Sequence, residues 1–286
     1  MFKKWLIAGA VLTVAVEALA GWQYTAVTKA EGGANARMMG STTHAWVDGA
    51  RVKIEFSESG NPLMGAGSYL LSSDGGQKVF LVNPKNKTYS TWDISGMMGM
   101  AGGMMEMMNM KFKNCRVEKL LEEKGPALLG QPTTHYRYRT SYTMEMNLMG
   151  MAMASDTVKD EDLWITTALK DAGLSLWLNQ QNNKTGNEQL DSMISAEMSK
   201  ARGFPLKNVS TTTTRDNRGQ QKVMKMSMEI TELKPCTPAA KMFEMPADYH
   251  EAQMAPLGSG NGQKKGQGQG GGADNPLLKL MQNMNR

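Results

Sequence analysis

Histidine and cysteine are scarce in this chain, and their scarcity removes most site chemistry. The three histidines, His44, His135 and His250, are far apart, so they match neither a metal triad by spacing nor a base–nucleophile pair. No G-x-S-x-G, S-x-x-K or H-E-x-x-H occurs, which leaves no nucleophile elbow or metalloprotease helix to build on. The sequence reads as non-catalytic, with no cofactor and no metal-ligating set of these residue types. No Lys/Arg-rich run accompanies the formal net charge of +5, and nucleic acid is excluded as a partner class. Nor is there an apolar run approaching the ~20 residues that span a bilayer.

The longest uncharged apolar stretch, residues 5–16, follows Lys3-Lys4 and precedes Ala18-Leu19-Ala20. That order is a basic region, an apolar region and a small-residue cleavage site, so residues 1–20 are expected to be a signal peptide cleaved near Ala20. The mature chain is expected in the periplasm. The even cysteine count in an exported protein predicts a Cys115–Cys236 disulfide, which would stabilise the fold by ~4–5 kcal/mol in the chain-entropy model.

The mature chain alternates as antiparallel β. Trp22, Tyr24 and Ala26 share one face, and Asp48-Gly49 is the turn of a hairpin over 44–56 in which Val52, Ile54 and Phe56 alternate with charges. Two more strands flank Asn83-Pro84-Lys85-Asn86, a turn with Pro at its second position. Over 136–148 the even positions carry Tyr136, Tyr138, Thr140, Tyr142, Met144, Met146 and Leu148 against polar odd positions. A strand of that length, roughly 40 Å, is expected to curve strongly or to be broken by a bulge. The pattern returns over 222–233 with Met224, Met226, Met228 and Ile230, partnered by 209–215 through Asp216-Asn217-Arg218-Gly219. Asn187 can cap a helix reaching Lys200, with Leu190, Met193, Ile194 and Met198 on one stripe.

What the chain has in abundance is methionine. Eight of the fourteen residues over 97–110 are Met, distributed on every side of any helix they could form, so no single face buries them all. Gly99, Gly102 and Gly103 weaken that helix by up to ~1 kcal/mol each, and a frayed helix or mobile loop is expected. Residues 256–273 are a Gly-rich linker. Residues 274–286 are a short apolar segment, opened by Asn275 and Pro276 and read as disordered or as a docking peptide.

Three segments carry a family likeness: Val79-Phe80-Leu81-Val82-Asn83-Pro84-Lys85-Asn86-Lys87-Thr88-Tyr89, then Gly203-Phe204-Pro205-Leu206, then Phe243-Glu244-Met245-Pro246-Ala247-Asp248-Tyr249. In this order and spacing they resemble an exported family of unknown function within the superfamily of the lipoprotein carrier LolA. The resemblance implies one domain over 21–255, mainly β with a few helices: an antiparallel half-barrel with a helical or loop lid over its concave face. Relatives hold acyl chains or hydrophobic peptides in that concavity. The Met-rich insert and the Gly-rich tail depart from the carrier pattern, so lipoprotein ferrying itself is not implied.

Thioether side chains repeated on two strands suit a wall that repacks around variable apolar ligands. Tyr142, Met144, Met146, Met224, Met226 and Met228 are therefore the expected ligand-binding wall. Met104, Met105, Met107 and Met108 belong to a lid formed by the Met-rich insert. The expected partner is a hydrophobic ligand, a lipid or apolar peptide. Two alternatives stand beside it. The M-x-M spacings at Met98-Gly-Met100, Met108-Asn-Met110 and Met149-Gly-Met151-Ala-Met153 suit copper(I), which prefers soft thioethers. The other alternative is a role in docking or sensing an envelope protein partner.

Overall fold

The computed structural model describes residues 21–33, 35–91, 102–103, 105–148, 151–169, 185–200 and 203–252. Residues 1–20, residues 97–101, Met104 and the residues from 253 onward lie outside the described residues, and so do the expectations placed on them.

The described chain forms one open sheet of twelve strands. The strands are β1 (Gly21–Glu31), β2 (Ser41–Asp48), β3 (Arg51–Ser59), β4 (Tyr69–Ser72), β5 (Phe80–Asn83), β6 (Thr88–Thr91), β7 (Lys111–Lys124), β8 (Thr134–Leu148), β9 (Met151–Thr166), β10 (Phe204–Asp216), β11 (Gln221–Cys236) and β12 (His250–Glu251). Their spatial order is β12-β6-β5-β4-β3-β2-β1-β11-β10-β9-β8-β7. Every pairing is antiparallel except β12 on β6. Short helix α1 (Ala36–Met39) joins β1 to β2, and α2 (Glu188–Ser199) lies between β9 and β10 in sequence. Among the described residues no helix is long and apolar enough to cross a membrane.

One face of the sheet carries the main core. Tyr24, Ala45, Val47, Val52, Ile54, Phe56, Leu70, Leu81 and Ile230 are buried there, joined by Leu169, Phe204 and Leu206. Alternation explains the selection on β2 and β3, where Ala45/Val47 and Val52/Ile54/Phe56 point inward and their neighbours outward. On β11 a bulge is needed. Thr25 pairs with Glu232 and Ala26 with Ile230, so Thr231 is the extra residue, and Ile230 and Leu233 both reach this core across an odd spacing.

The three family segments turn out to be structural. Gly203 has φ +140°, and a Cβ there would come within 2.6 Å of the Thr166 carbonyl oxygen, so only glycine lets β10 deliver Phe204 and Leu206 to the core. The first and third segments dock on each other over the far face of the sheet. Phe243 is buried with Tyr69, Leu71 and Val82, and Phe80, Tyr89, Met245 and Tyr249 pack around them. Lys87 pairs with Asp248 at 2.7 Å, and His250 N–H donates to the Lys87 carbonyl at 3.1 Å.

One expectation is narrowed and another needs correction. The long strand, β8, keeps unbroken register with β9 over its whole length. The bulges lie in its other neighbour, β7, between Lys113 and Arg116 and between Lys119 and Leu121. β7 is a sheet edge, where bulges and lysines discourage pairing with another chain. Second, Cys115 and Cys236 are both free. They sit on β7 and β11, which are separated by β8, β9 and β10. Four strand spacings of ~4.8 Å put them far beyond disulfide reach. An even count says nothing about which strands carry the cysteines.

Candidate functional site

The registers of β8 to β11 put every predicted wall residue on the core face of the sheet, but not side by side. Tyr142 faces Thr157 and Met144 faces Ser155; Met224, Met226 and Met228 face Thr212, Ser210 and Asn208. Between the two methionine strands run β9, with Thr157, Lys159 and Glu161, and β10, with Asn208, Ser210, Thr212 and Thr214. The expected wall residues therefore form two apolar strips about 14 Å apart with a polar floor between them. On the β8 strip, Met146 is buried, whereas Tyr142 and Met144 are half-buried; the Tyr142 ring lies 5.8 Å from that of Phe112. On the β11 strip all three methionines are half-buried, and of these Met228 packs against the main core.

The Met-rich insert reaches the rim of this region. Residues 102–103 and 105–107 are helical. A Cβ at Gly102 would fall 1.9 Å from the Thr185 carbonyl oxygen, so the insert touches the chain just before α2. At its other end Met108 accepts a hydrogen bond from Asn147 N–H at 3.3 Å. Met107 is exposed, Met105 and Met108 half-buried.

Sequence reasoning missed the polar floor and what stands on it. α2 starts as expected, with Asn187 Oδ1 accepting from Leu190 N–H at 3.0 Å, and it packs against β7. Its half-buried stripe of Leu190, Met193 and Ile194 continues into Glu197 and ends at buried Lys200. Lys200 Nζ lies 3.2 Å from Glu161, also contacts Glu197, and donates to Thr140 Oγ1 at 3.0 Å. Lys159 reaches Glu161 at 2.9 Å and Glu197 at 3.2 Å. Asn208 donates to Glu161 at 3.1 Å. The Lys200 ammonium also sits 5.0 Å from the Tyr138 ring centroid. The side chains of Lys200 and Glu161 are 3% and 7% exposed and those of Lys159 and Glu197 27% and 26%, so this ion quartet, with two charges of each sign, joins a buried pair to a half-buried one.

Burial would by itself raise the Glu197 carboxyl. Hydrogen bonds from Lys200 and Thr140 and the charges of Lys159 and Lys200 outweigh it and hold the group below the usual carboxylate range. For Lys159 burial works downward, and Glu161 and Glu197 overcome it, leaving the ammonium raised. In sequence this floor reads Lys159-Asp160-Glu161-Asp162, indistinguishable from a solvated strand. The outward members behave as such. Arg139 is bidentate to Asp160 at 2.7 and 3.1 Å, and Asp162 holds His135 at 2.7 Å and Arg137 at 2.9 Å.

A cleft of about 570 Å³ opens between β7 and α2, lined by Cys115, Arg116, Val117, Glu188, Met193 and Ala196 among others. Burial pushes the Cys115 thiol up, which disfavours the reactive thiolate.

Residues 39–249 match the family described as a domain of unknown function (DUF4412), and the chain belongs to that family. No curated protein matches it. The crystal structure of the Mycobacterium tuberculosis lipoprotein LppX aligns over 76% of this chain and 88% of its own, with 8% identity and a TM-score of 0.27, a likeness too weak to carry an argument.

Proposed function

We propose that this DUF4412 protein is a non-catalytic, exported periplasmic protein that holds a lipid, acyl chain or apolar peptide. The ligand lies on the core face of β8–β11, which we read as the concave face of a LolA-like half-barrel. The observation that carries this reading is the half-burial of Met224, Met226 and Met228, on the same sheet face that is densely filled along β2–β5. Their adaptable thioethers beside the hydroxyls of Ser210, Thr212 and Thr214 favour an amphiphile, with its apolar part along β11 and its polar part on β10. The energetics are adequate. Each buried methylene contributes ~0.8 kcal/mol, so a chain of about a dozen carbons binds even after association costs.

In this reading the lid has two parts, the Met-rich insert at the rim and α2 over the polar floor. Glu197 and Lys200 latch α2 to Thr140, Lys159 and Glu161, and opening requires those contacts to exchange for water or ligand.

Native mass spectrometry of protein purified from its own periplasm tests the proposal, together with titration of a fluorescent fatty-acid analogue. Co-purified lipid, and loss of probe binding in Met224→Ser/Met226→Ser/Met228→Ser, are expected. Neither lipid nor probe binding in the wild-type chain would leave the envelope docking role instead.

A further inference from the structure

A row of thioether side chains runs from the residue just before β7 across β8 to β9 where the β8–β9 hairpin ends, away from the β11 strip and the ion quartet. Met146 and Met153 are directly opposed in the antiparallel register, which puts their Cβ atoms about 4.5–5.5 Å apart on one face. On the other side of Met146, Lys111 pairs with Glu145 and Asn147 N–H donates to the Met108 carbonyl at 3.3 Å. Met110 lies between those two contacts and so runs alongside Met146. The ring contact of Phe112 with Tyr142 puts the even positions of this segment on the core face, the face of Met146. A bond from Met110 N–H to the Met105 carbonyl at 2.8 Å closes the turn. Met146 is only 8% exposed although it lies two residues from the strand end, whereas Met153 is 39% exposed. The row has a shielded centre and an open side.

We infer that Met110, Met146 and Met153 form a binding site for a soft monovalent cation of the copper(I)–silver(I) class. Three neutral, polarizable sulfurs attract such an ion and offer nothing to a hard cation, which would require oxygen or nitrogen donors. The strand carboxylates beside the row lie on the opposite face and are engaged: Glu145 pairs with Lys113 at 2.7 Å, and Asp156 accepts from Thr143 at 2.7 Å; Glu106, in the turn before Met110, is exposed. The cation enters and leaves in the same oxidation state, and thioethers carry no proton to release. Binding is therefore insensitive to pH across the neutral range, unlike a thiolate or imidazole site. The site is independent of the hydrophobic-ligand reading.

The test is silver(I) titration of the mature chain, followed by calorimetry and native mass spectrometry at pH 5.5 and 7.5. One tightly held equivalent, of equal affinity at both pH values, is expected. Met110→Leu/Met146→Leu/Met153→Leu keeps apolar volume while removing all three sulfurs, and it should weaken that equivalent by at least about tenfold. The single exposed change Met153→Leu should weaken it in the same direction, and it serves where the triple variant loses its native circular dichroism. Met224→Leu/Met226→Leu/Met228→Leu should bind silver as the wild type does. The inference is overturned by any one of three results: no silver uptake, uptake unchanged in the hairpin variants, or uptake that rises with pH and disappears in Cys115→Ser.

Discussion

Strands β2–β5 and strands β8–β11 use the same two-residue alternation, yet the sheet face they share is filled differently. Along β2–β5 it is closed by Ala45, Val47, Val52, Ile54 and Leu70, all buried and apolar. Along β8–β11 it carries tyrosine, threonine, methionine and an ion quartet whose Lys200 and Glu161 are buried. Apolar packing is close to non-directional and tolerates substitution of similar volume. A buried charge tolerates almost nothing, because its desolvation is offset only by partners in the right positions. The first region is where stability resides, and the second is where we place ligand binding.

The sharpest way to break the comparison is Lys200→Ala. It leaves Glu161 and Glu197 with fewer partners, and a loss of about 3–5 kcal/mol is expected in denaturant unfolding. Replacing the quartet as a whole by apolar residues of similar volume should cost little or even stabilise, while unlatching α2. A comparable loss from the whole replacement would show that the quartet is a core element.

On the apolar side, Leu206→Ala should cost about 2–5 kcal/mol, with the site's probe binding kept once the protein is folded. Equal stability of Leu206→Ala and wild type in urea would contradict the burial of Leu206 at 1%.

Acid separates the regions without mutation. The Glu197 carboxyl is lower in the native state than its ordinary value of 4.5. Its contribution is thus fully present above that value and lost as pH falls through the lowered native one. Hydrogen exchange, corrected for intrinsic rates, should show the α2 amides losing protection below about pH 4.5 before those of β2–β5. Simultaneous loss would mean one cooperative unit.

The smallest effect concerns the chain end. The family match stops at residue 249, and the Gly-rich linker cannot build a core. Deletion of residues 256–286 should leave the melting temperature unchanged. A fall of several degrees would show that the apolar segment at 274–286 packs on the domain.

Much of the architecture was legible from residues alone. Alternation and turn chemistry located β1, the β2–β3 and β10–β11 hairpins and the turn between β5 and β6, and the cap at Asn187 located α2. The short strands β4 and β12 and the long strands β7 and β9 were not seen. Lys111–Lys124 has charges on both faces, and Met151–Thr166 has charges and small residues on both; strands of that kind are specified by their neighbours. The site was legible only in part. Period two assigned Tyr142, Met144, Met146, Met224, Met226 and Met228 each to one face of its strand. It could not tell that β9 and β10 intervene, because strand order is a long-range property.

The sequence by itself determined the local chemistry: which side chains alternate, where the chain turns, and that Gly203 and Asn187 punctuate it. These are fixed by sterics and hydrogen bonds within a few residues. Only the tertiary structure decided that Cys115 and Cys236 stand four strands apart. It alone decided that Glu161 is buried against Lys200, with Lys159 and Glu197 beside them, and that Met146 and Met153 are directly opposed. Each of those facts depends on which strands become neighbours, and that is set by the packing of the whole sheet.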